Sequence, residues 1–186
     1  MLFAGHAGTG KTTLAKRALP LLAQKSGQHF CFLDKDTAYG EFSSHIMGLL
    51  TGDPADRESP AYLEHLRDQE YSGLLNIARE NLELGISVIL VGPFTREIMA
   101  GKFFRPQELG LAAETVCKIA WIDLSSEEAR RRIEQRADAR DSWKLAHWDV
   151  YLQRRVQPPE HPSIARLDNG VFDPVAFEGL LTHLLD

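Results

Sequence analysis

Gly5-His6-Ala7-Gly8-Thr9-Gly10-Lys11-Thr12-Thr13 has the form G-x-x-x-x-G-K-[ST], a phosphate-binding loop. The spacing has a chemical reason. Glycines at positions 5, 8 and 10 permit backbone angles that a Cβ forbids, so the chain can curl until several N–H groups face one phosphate. Lys11 supplies a mobile positive charge, and Thr12 a hydroxyl for Mg²⁺. Met1-Leu2-Phe3-Ala4 before the loop is apolar, as a buried strand should be. Leu14, Ala15, Ala18, Leu19 and Leu22 after it repeat at helical spacing. An incidental lysine in a glycine-rich turn would lack this strand–loop–helix context. The four residues before Gly5 make a short lead, which leaves room for a few N-terminal residues missing from this sequence.

The chain has 186 residues, enough for one domain with a sizeable core, and the expectation is a single unit over 1–186. Apolar residues make up 44% and charged residues 25%, ordinary for a globular protein. The formal net charge of −5 argues against a general nucleic-acid or anionic-membrane binder. No apolar run has the length of a membrane span, and no leader pattern is read at the N-terminus. Cys31 and Cys117, the only cysteines, lie in apolar runs and read as core residues of a protein in a reducing cytoplasm.

Strands and helices alternate along the chain. The first helix is expected over 11–24 and a buried strand over 29–33. A helix over 41–50 follows, then a polar loop over 53–60 and one long helix over 61–84. Ser87-Val88-Ile89-Leu90-Val91 is β-branched and apolar, the clearest strand. A short helix to about residue 100, a strand over 115–122 and a helix opened by the Ser125/Glu128 capping box come next. A break near Ala137, a helix over 142–155, a strand over 163–167 and a final helix capped by Asp173 complete the order. Such alternation implies a mostly parallel, three-layer α/β sheet.

Three further groups carry chemistry. Asp34 and Asp36 sit just past the second strand, where open α/β sheets hold ligands; they suit a base and a Mg²⁺ contact, against the plainer role of a turn-forming pair. Asp36 falls on the same side as Asp34 if the strand continues. Arg132, Arg136, Arg140 and Lys144 recur at four-residue steps; they form one face of a continuous helix, or a mobile loop if the break at Ala137 holds. Either could close over a nucleotide, whereas in isolation they would read as a solvated face. Arg67, Tyr71 and Arg96 are candidates for an acceptor pocket, with Glu70 beside them. Asp123 ends an apolar strand but precedes a capping box, which points to a structural job.

With these three features together, the chain resembles the P-loop small-molecule kinases: gluconate, shikimate and adenylylsulfate kinases, chloramphenicol phosphotransferase, and AAA-type ATP-binding proteins of unassigned substrate. Only Gly5 to Thr13 is a specific motif; the order of elements matches over nearly the whole chain. The resemblance implies a five-stranded parallel sheet in order 2-3-1-4-5 with a helical lid, here about 136–144. It implies ATP and Mg²⁺, with transfer of the γ-phosphate to a hydroxyl of a small molecule. Nucleotide-binding roles fall by resemblance on Gly8, Thr9, Gly10, Lys11, Thr12, Thr13, Arg132, Arg136, Arg140 and Asn169, the last near the adenine. Metal-binding roles fall on Thr12 and Asp34, catalytic ones on Lys11, Asp34 or Asp36, Arg132 and Arg136, and acceptor binding on Asp34, Arg67, Tyr71 and Arg96. The Leu33-Asp34-Lys35-Asp36-Thr37 segment departs from the D-G-D form of gluconate and adenylylsulfate kinases, so no acceptor is named. Three rivals remain: a P-loop ATPase or nucleotide-dependent switch, an ATP-binding protein without catalysis, and a polynucleotide 5′-kinase. Against the first, the third strand ends in Gly92-Pro93 with no acid.

Overall fold

The computed structural model describes residues 1–186. Five parallel strands, β1 (Leu2–Ala4), β2 (Phe30–Asp34), β3 (Ser87–Val91), β4 (Ile119–Asp123) and β5 (Ile164–Asp168), form one sheet in the order β2-β3-β1-β4-β5. This is the expected order. Successive side chains alternate between two cores, as the two-residue period of a strand demands. Leu2, Ala4, Val88, Leu90, Ile119 and Trp121 face one layer of helices. Phe3, Ile89, Val91, Ala120 and Ile122 face the other. The first layer contains α4 (Arg67–Glu83) and α5 (Thr95–Met99); the second contains α1 (Lys11–Ser26) and α9 (Pro174–Leu185).

The remaining helices surround the C-terminal edge of the sheet: α2 (Lys35–Thr51), α3 (Pro60–His65), α6 (Ser126–Arg136), α7 (Ser142–Ala146) and α8 (Trp148–Gln153). Four sequence expectations need correction. The helix expected at 41–50 starts at Lys35, because the Asp34 carboxylate accepts from the backbone N–H groups of Asp36 and Thr37 (2.9 and 3.0 Å) and caps it. Asp36 therefore lies on the first turn of α2, not on an extended strand. The long helix over 61–84 is two helices, broken at Leu66, which leaves the helical region at φ −121°. The strand expected over 115–122 begins only at Ile119, where Ile164 provides a partner. The helix expected over 142–155 is split at His147 into α7 and α8. Ala137 does break the arginine-bearing helix, with φ +50°.

No helix is long and apolar enough to cross a membrane.

Candidate functional site

The C-terminal ends of β1, β2 and β3, with α2, α3, α6 and α7, enclose a cleft of about 550 Å³. Its floor is the loop after β1. Gly8 and Gly10 show why glycine is needed there: both have positive φ (+80° and +86°). A Cβ on Gly8 would stand 2.7 Å from the Ala129 carbonyl oxygen, and one on Gly10 2.5 Å from Asn169 Nδ2. Gly10 leads directly into α1, so the helix N-terminus points its free N–H groups into the cleft.

Lys11 Nζ donates to the His6 carbonyl at 2.7 Å, folding the lysine over the loop. Burial pushes its ammonium down to about 8, against the pull of the Asp36 carboxylate. Thr12 Oγ1 donates to Asp34 Oδ2 at 2.7 Å. Asp34 is thus committed on both oxygens, one capping α2 and the other holding Thr12. Asp36 is different: its side chain is 57% exposed and meets Lys35 Nζ at 3.2 Å and an Arg140 nitrogen at 3.6 Å. Burial by itself would raise its carboxyl, but Lys35 and Arg140 outweigh that and hold it below the usual carboxylate range.

Asn169 follows β5 and ties its loop to the floor. Its Nδ2 donates to the Thr9 carbonyl at 2.8 Å, and its own carbonyl accepts from Arg132 at 2.7 Å. Arg132 is held from the other side by Glu128 at 2.8 Å, so it stands fixed beside Gly10. Thr13 lies at the cleft wall. Thr9 does not: its side chain is fully buried, bonded to the His6 carbonyl at 3.0 Å, and only its backbone serves the loop. Beyond the break at Ala137 the four cations no longer share a helix face. Arg136 pairs with Asp141, Arg140 with Asp138 at 2.6 Å, and Lys144 with Glu58 at 3.4 Å; all three still line the cleft.

The wall opposite the loop comes from α2, α3 and α4. Arg67 is bidentate to Glu97 (3.1 and 3.2 Å), bonded to Asp68 at 2.6 Å and stacked 4.3 Å over the Tyr71 ring. Both Arg67 and Tyr71 are buried and line the cleft. Arg96 does not join them. It is exposed and outside the cleft; its neighbour Thr95 faces inward, and Glu97 rather than Arg96 reaches Arg67. The short helix α5 is entered through Phe94, at φ +45°, and that phase turns Arg96 outward. Asp123 has a structural job: it accepts from Trp121 Nε1 at 2.9 Å and pairs with Arg166 at 2.7 Å, while Ser125 caps α6.

Several lining residues were missed by the sequence reading. Lys35, between the two aspartates, is buried and bonded to Glu70 at 2.8 Å. Arg57 and Glu58 sit in the segment read only as a polar loop, and Tyr62 in the helix after it. No periodicity marks such loop residues; the one available signal was a pair of opposite charges between two helices.

The family model AAA_33, described as an AAA domain, matches residues 1–159. No curated relative matches the chain by sequence. Among solved structures, a sugar kinase from Janibacter sp. HTCC2649 is similar over 98% of this chain and 92% of that chain (19% identity, TM-score 0.59). The Mycobacterium tuberculosis APS kinase in complex with AMPPNP and APS is similar over 100% and 96% (16% identity, TM-score 0.59). Chaetomium thermophilum Kti12 in complex with ADP-AlF3 is similar over 98% and 95% (14% identity, TM-score 0.65). At these identities the structural likeness speaks to fold; the sequence match speaks to family. The chain belongs to the AAA_33 family of AAA domains, and its fold is that of the P-loop kinases.

Proposed function

We propose that this protein is a phosphotransferase that moves the γ-phosphate of ATP to a hydroxyl of a small molecule. The observation that carries this reading is the division of labour between the two aspartates. Asp34 is used up in holding Thr12 and starting α2, whereas Asp36 faces the cleft across from the phosphate-binding loop. A hydrolase or switch needs no acid on the acceptor side. It needs one after a strand beside the loop strand; β3 ends there in Gly92-Pro93, and the Asp123 that ends β4 is held by Trp121 and Arg166 and does not line the cleft.

The residues fit a Mg²⁺ ion. Thr12 Oγ1 and Asp34 Oδ2 are hard oxygen donors 2.7 Å apart. No set of three acidic, histidine or cysteine side chains could hold a metal alone, which suits an ion that takes its other ligands from phosphate and water. When bound, Mg²⁺ would neutralise charge on the phosphates. The loop N–H groups and Lys11 bind and orient the β- and γ-phosphates. Arg132, fixed by Glu128 and Asn169, and Arg136 and Arg140, on residues 136–144 acting as a lid, offset the charge that develops on the transferring group. Asp36 accepts the hydrogen bond of the acceptor hydroxyl and orients its oxygen at the γ-phosphorus. The new bond is hydroxyl oxygen to phosphorus, the bond to the β-γ bridging oxygen breaks, ADP leaves, and Asp36 takes the proton. Its depressed carboxyl is ionised at neutral pH, ready for that role.

Asp36→Asn should cut transfer by about 10²- to 10⁴-fold and leave nucleotide affinity nearly unchanged. Asp34→Asn should instead weaken the Mg²⁺ dependence of nucleotide binding while keeping the cap on α2, since an asparagine oxygen accepts those N–H groups as well as a carboxylate does. Nucleotide titration and product formation measured on both variants separate the roles. Full transfer by Asp36→Asn would place the acceptor-side carboxylate elsewhere.

A further inference from the structure

Across the cleft from the phosphate-binding loop, the charged side chains already have partners. Lys35 is bonded to Glu70 at 2.8 Å and meets Asp36 at 3.2 Å. Arg67 is bonded to Glu97 and Asp68. The terminal nitrogens of Arg57 donate to the carbonyls of Pro54, Asp56 and Gly40 and to Ser44 Oγ. Glu58 pairs with Lys144 and Arg154, and the Tyr62 hydroxyl donates to Glu70. Two polar side chains on that side have no protein partner: the hydroxyls of Tyr71 and Thr95.

Tyr71 is the sharper case, for the residue is only 6% exposed. No fully buried side-chain nitrogen or oxygen in the molecule lacks a hydrogen bond, so the Tyr71 oxygen, which has none, opens on the cleft that the residue lines. Whatever displaces water there has to supply a hydrogen bond or lose affinity. Burial pushes the phenol up, so it stays neutral, both donor and acceptor. The ring is held from three sides. Arg67 stacks at 4.3 Å, Lys35 Nζ lies 5.8 Å from its centre, and Phe94 meets it edge to face at 4.7 Å. Phe94 is fully buried, and its left-handed backbone (φ +45°) turns the next residue, Thr95, into the cleft. One contact therefore sets both hydroxyls. They stand beside the aspartates: Lys35 links Tyr71 to Asp36, and Asp34 is level with Val91 at the end of β3, just ahead of Thr95.

We propose that the acceptor is an uncharged polyol of the sugar class, and that Tyr71 Oη and Thr95 Oγ1 bind hydroxyls next to the one that Asp36 receives. This rests on the phosphotransferase reading above. Each protein hydroxyl is at once donor and acceptor, which matches a partner that is also both, as another hydroxyl is. An anion uses only the donor half and brings a charge to a wall whose cations are already engaged. A site built to hydrogen-bond hydroxyls also rejects a molecule that lacks them.

The protein saturated with AMPPNP and Mg²⁺ is titrated calorimetrically with glucose, ribose and myo-inositol, and with the anionic counterparts gluconate and ribose 5-phosphate. At least one uncharged member should bind at millimolar concentration or tighter, and both anions at least about tenfold more weakly. Tyr71→Phe keeps the packed ring and Thr95→Val keeps the side-chain shape; each removes one hydroxyl. Each should weaken the bound polyol by about three- to tenfold and leave AMPPNP affinity unchanged. Thr95→Ser, which keeps the hydroxyl, should bind as the native protein does. Equal or tighter binding of the anions, no binding of any polyol, or an unchanged polyol affinity in either Tyr71→Phe or Thr95→Val would overturn the proposal. Replacing AMPPNP by ATP tests the underlying reading separately. Polyol binding that depends on Tyr71 but yields no phosphate ester would sink the phosphotransferase and spare the site. Transfer to gluconate or ribose 5-phosphate alone would do the reverse.

Discussion

Lys11 carries the most consequential perturbation in the cleft. Its ammonium is held by burial at about 8 instead of the usual value near 10.4. The sign follows directly: the charged form binds polyphosphate, so affinity is full below pH 8 and declines as the pH rises through it. Nucleotide titrations at pH 7 and pH 9 should show at least a several-fold loss at the higher pH, and Lys11→Arg should flatten that dependence. A pH-independent affinity would mean that the lysine is not the phosphate contact. At this scale the loop itself was readable from sequence, because its glycines, lysine and threonine act through fixed local spacing. The two aspartates were readable only as a pair. Their separation depends on a cap, and a cap depends on where a helix starts. Arg57 was invisible because its place at the cleft depends on Gly40 and Ser44 of α2, which only the tertiary fold brings to its loop.

Elements α2, α3 and α4 are bound together by one carboxylate. Glu70 accepts from Lys35 at 2.8 Å, from Tyr62 OH at 2.7 Å and from Ser43 Oγ, and it is 2% exposed. Burial and the same carboxylate push the Tyr62 hydroxyl far up, so it stays a donor across the accessible pH range. Removing one partner of a buried pair leaves the other charge stranded, which typically costs about 3–5 kcal/mol. Glu70→Ala should therefore lower the unfolding free energy by about 3 kcal/mol in urea and loosen the acceptor wall. A change below about 1 kcal/mol, as for an exposed pair, would place this network outside the cooperative core. Strand β3 and the order of elements were legible in the sequence, since β-branched apolar runs and glycine stops act locally. The break at Leu66 was not, for no glycine or proline marks it. The late start of β4 was not, because a parallel strand begins only where its neighbour does. Arg96 failed by a single residue of phase: the left-handed turn at Phe94 puts Thr95 inward and Arg96 in solvent.

Across the whole molecule, the sheet order β2-β3-β1-β4-β5 gathers three things at one edge: the loop after β1, the aspartates after β2, and the arginines of α6 and the segment beyond it. Ion pairs bridge that cleft. Glu58 from the wall opposite the loop meets Lys144 at 3.4 Å and Arg154 at 2.8 Å, and Arg140 approaches Asp36 at 3.6 Å. The Arg140–Asp36 and Arg154–Glu58 pairs are partly exposed and individually weak, whereas Lys144 and Glu58 meet with side chains only 14% and 17% exposed. Whether phosphate passes to a small molecule or to water is decided by following the γ-phosphate. The protein is incubated with γ-labelled ATP, Mg²⁺ and a panel of sugars and other hydroxyl-bearing small molecules. Label should appear in an organic phosphate ester formed by the native protein and be lost in Asp36→Asn. Label released only as inorganic phosphate, equally by both proteins, would contradict it.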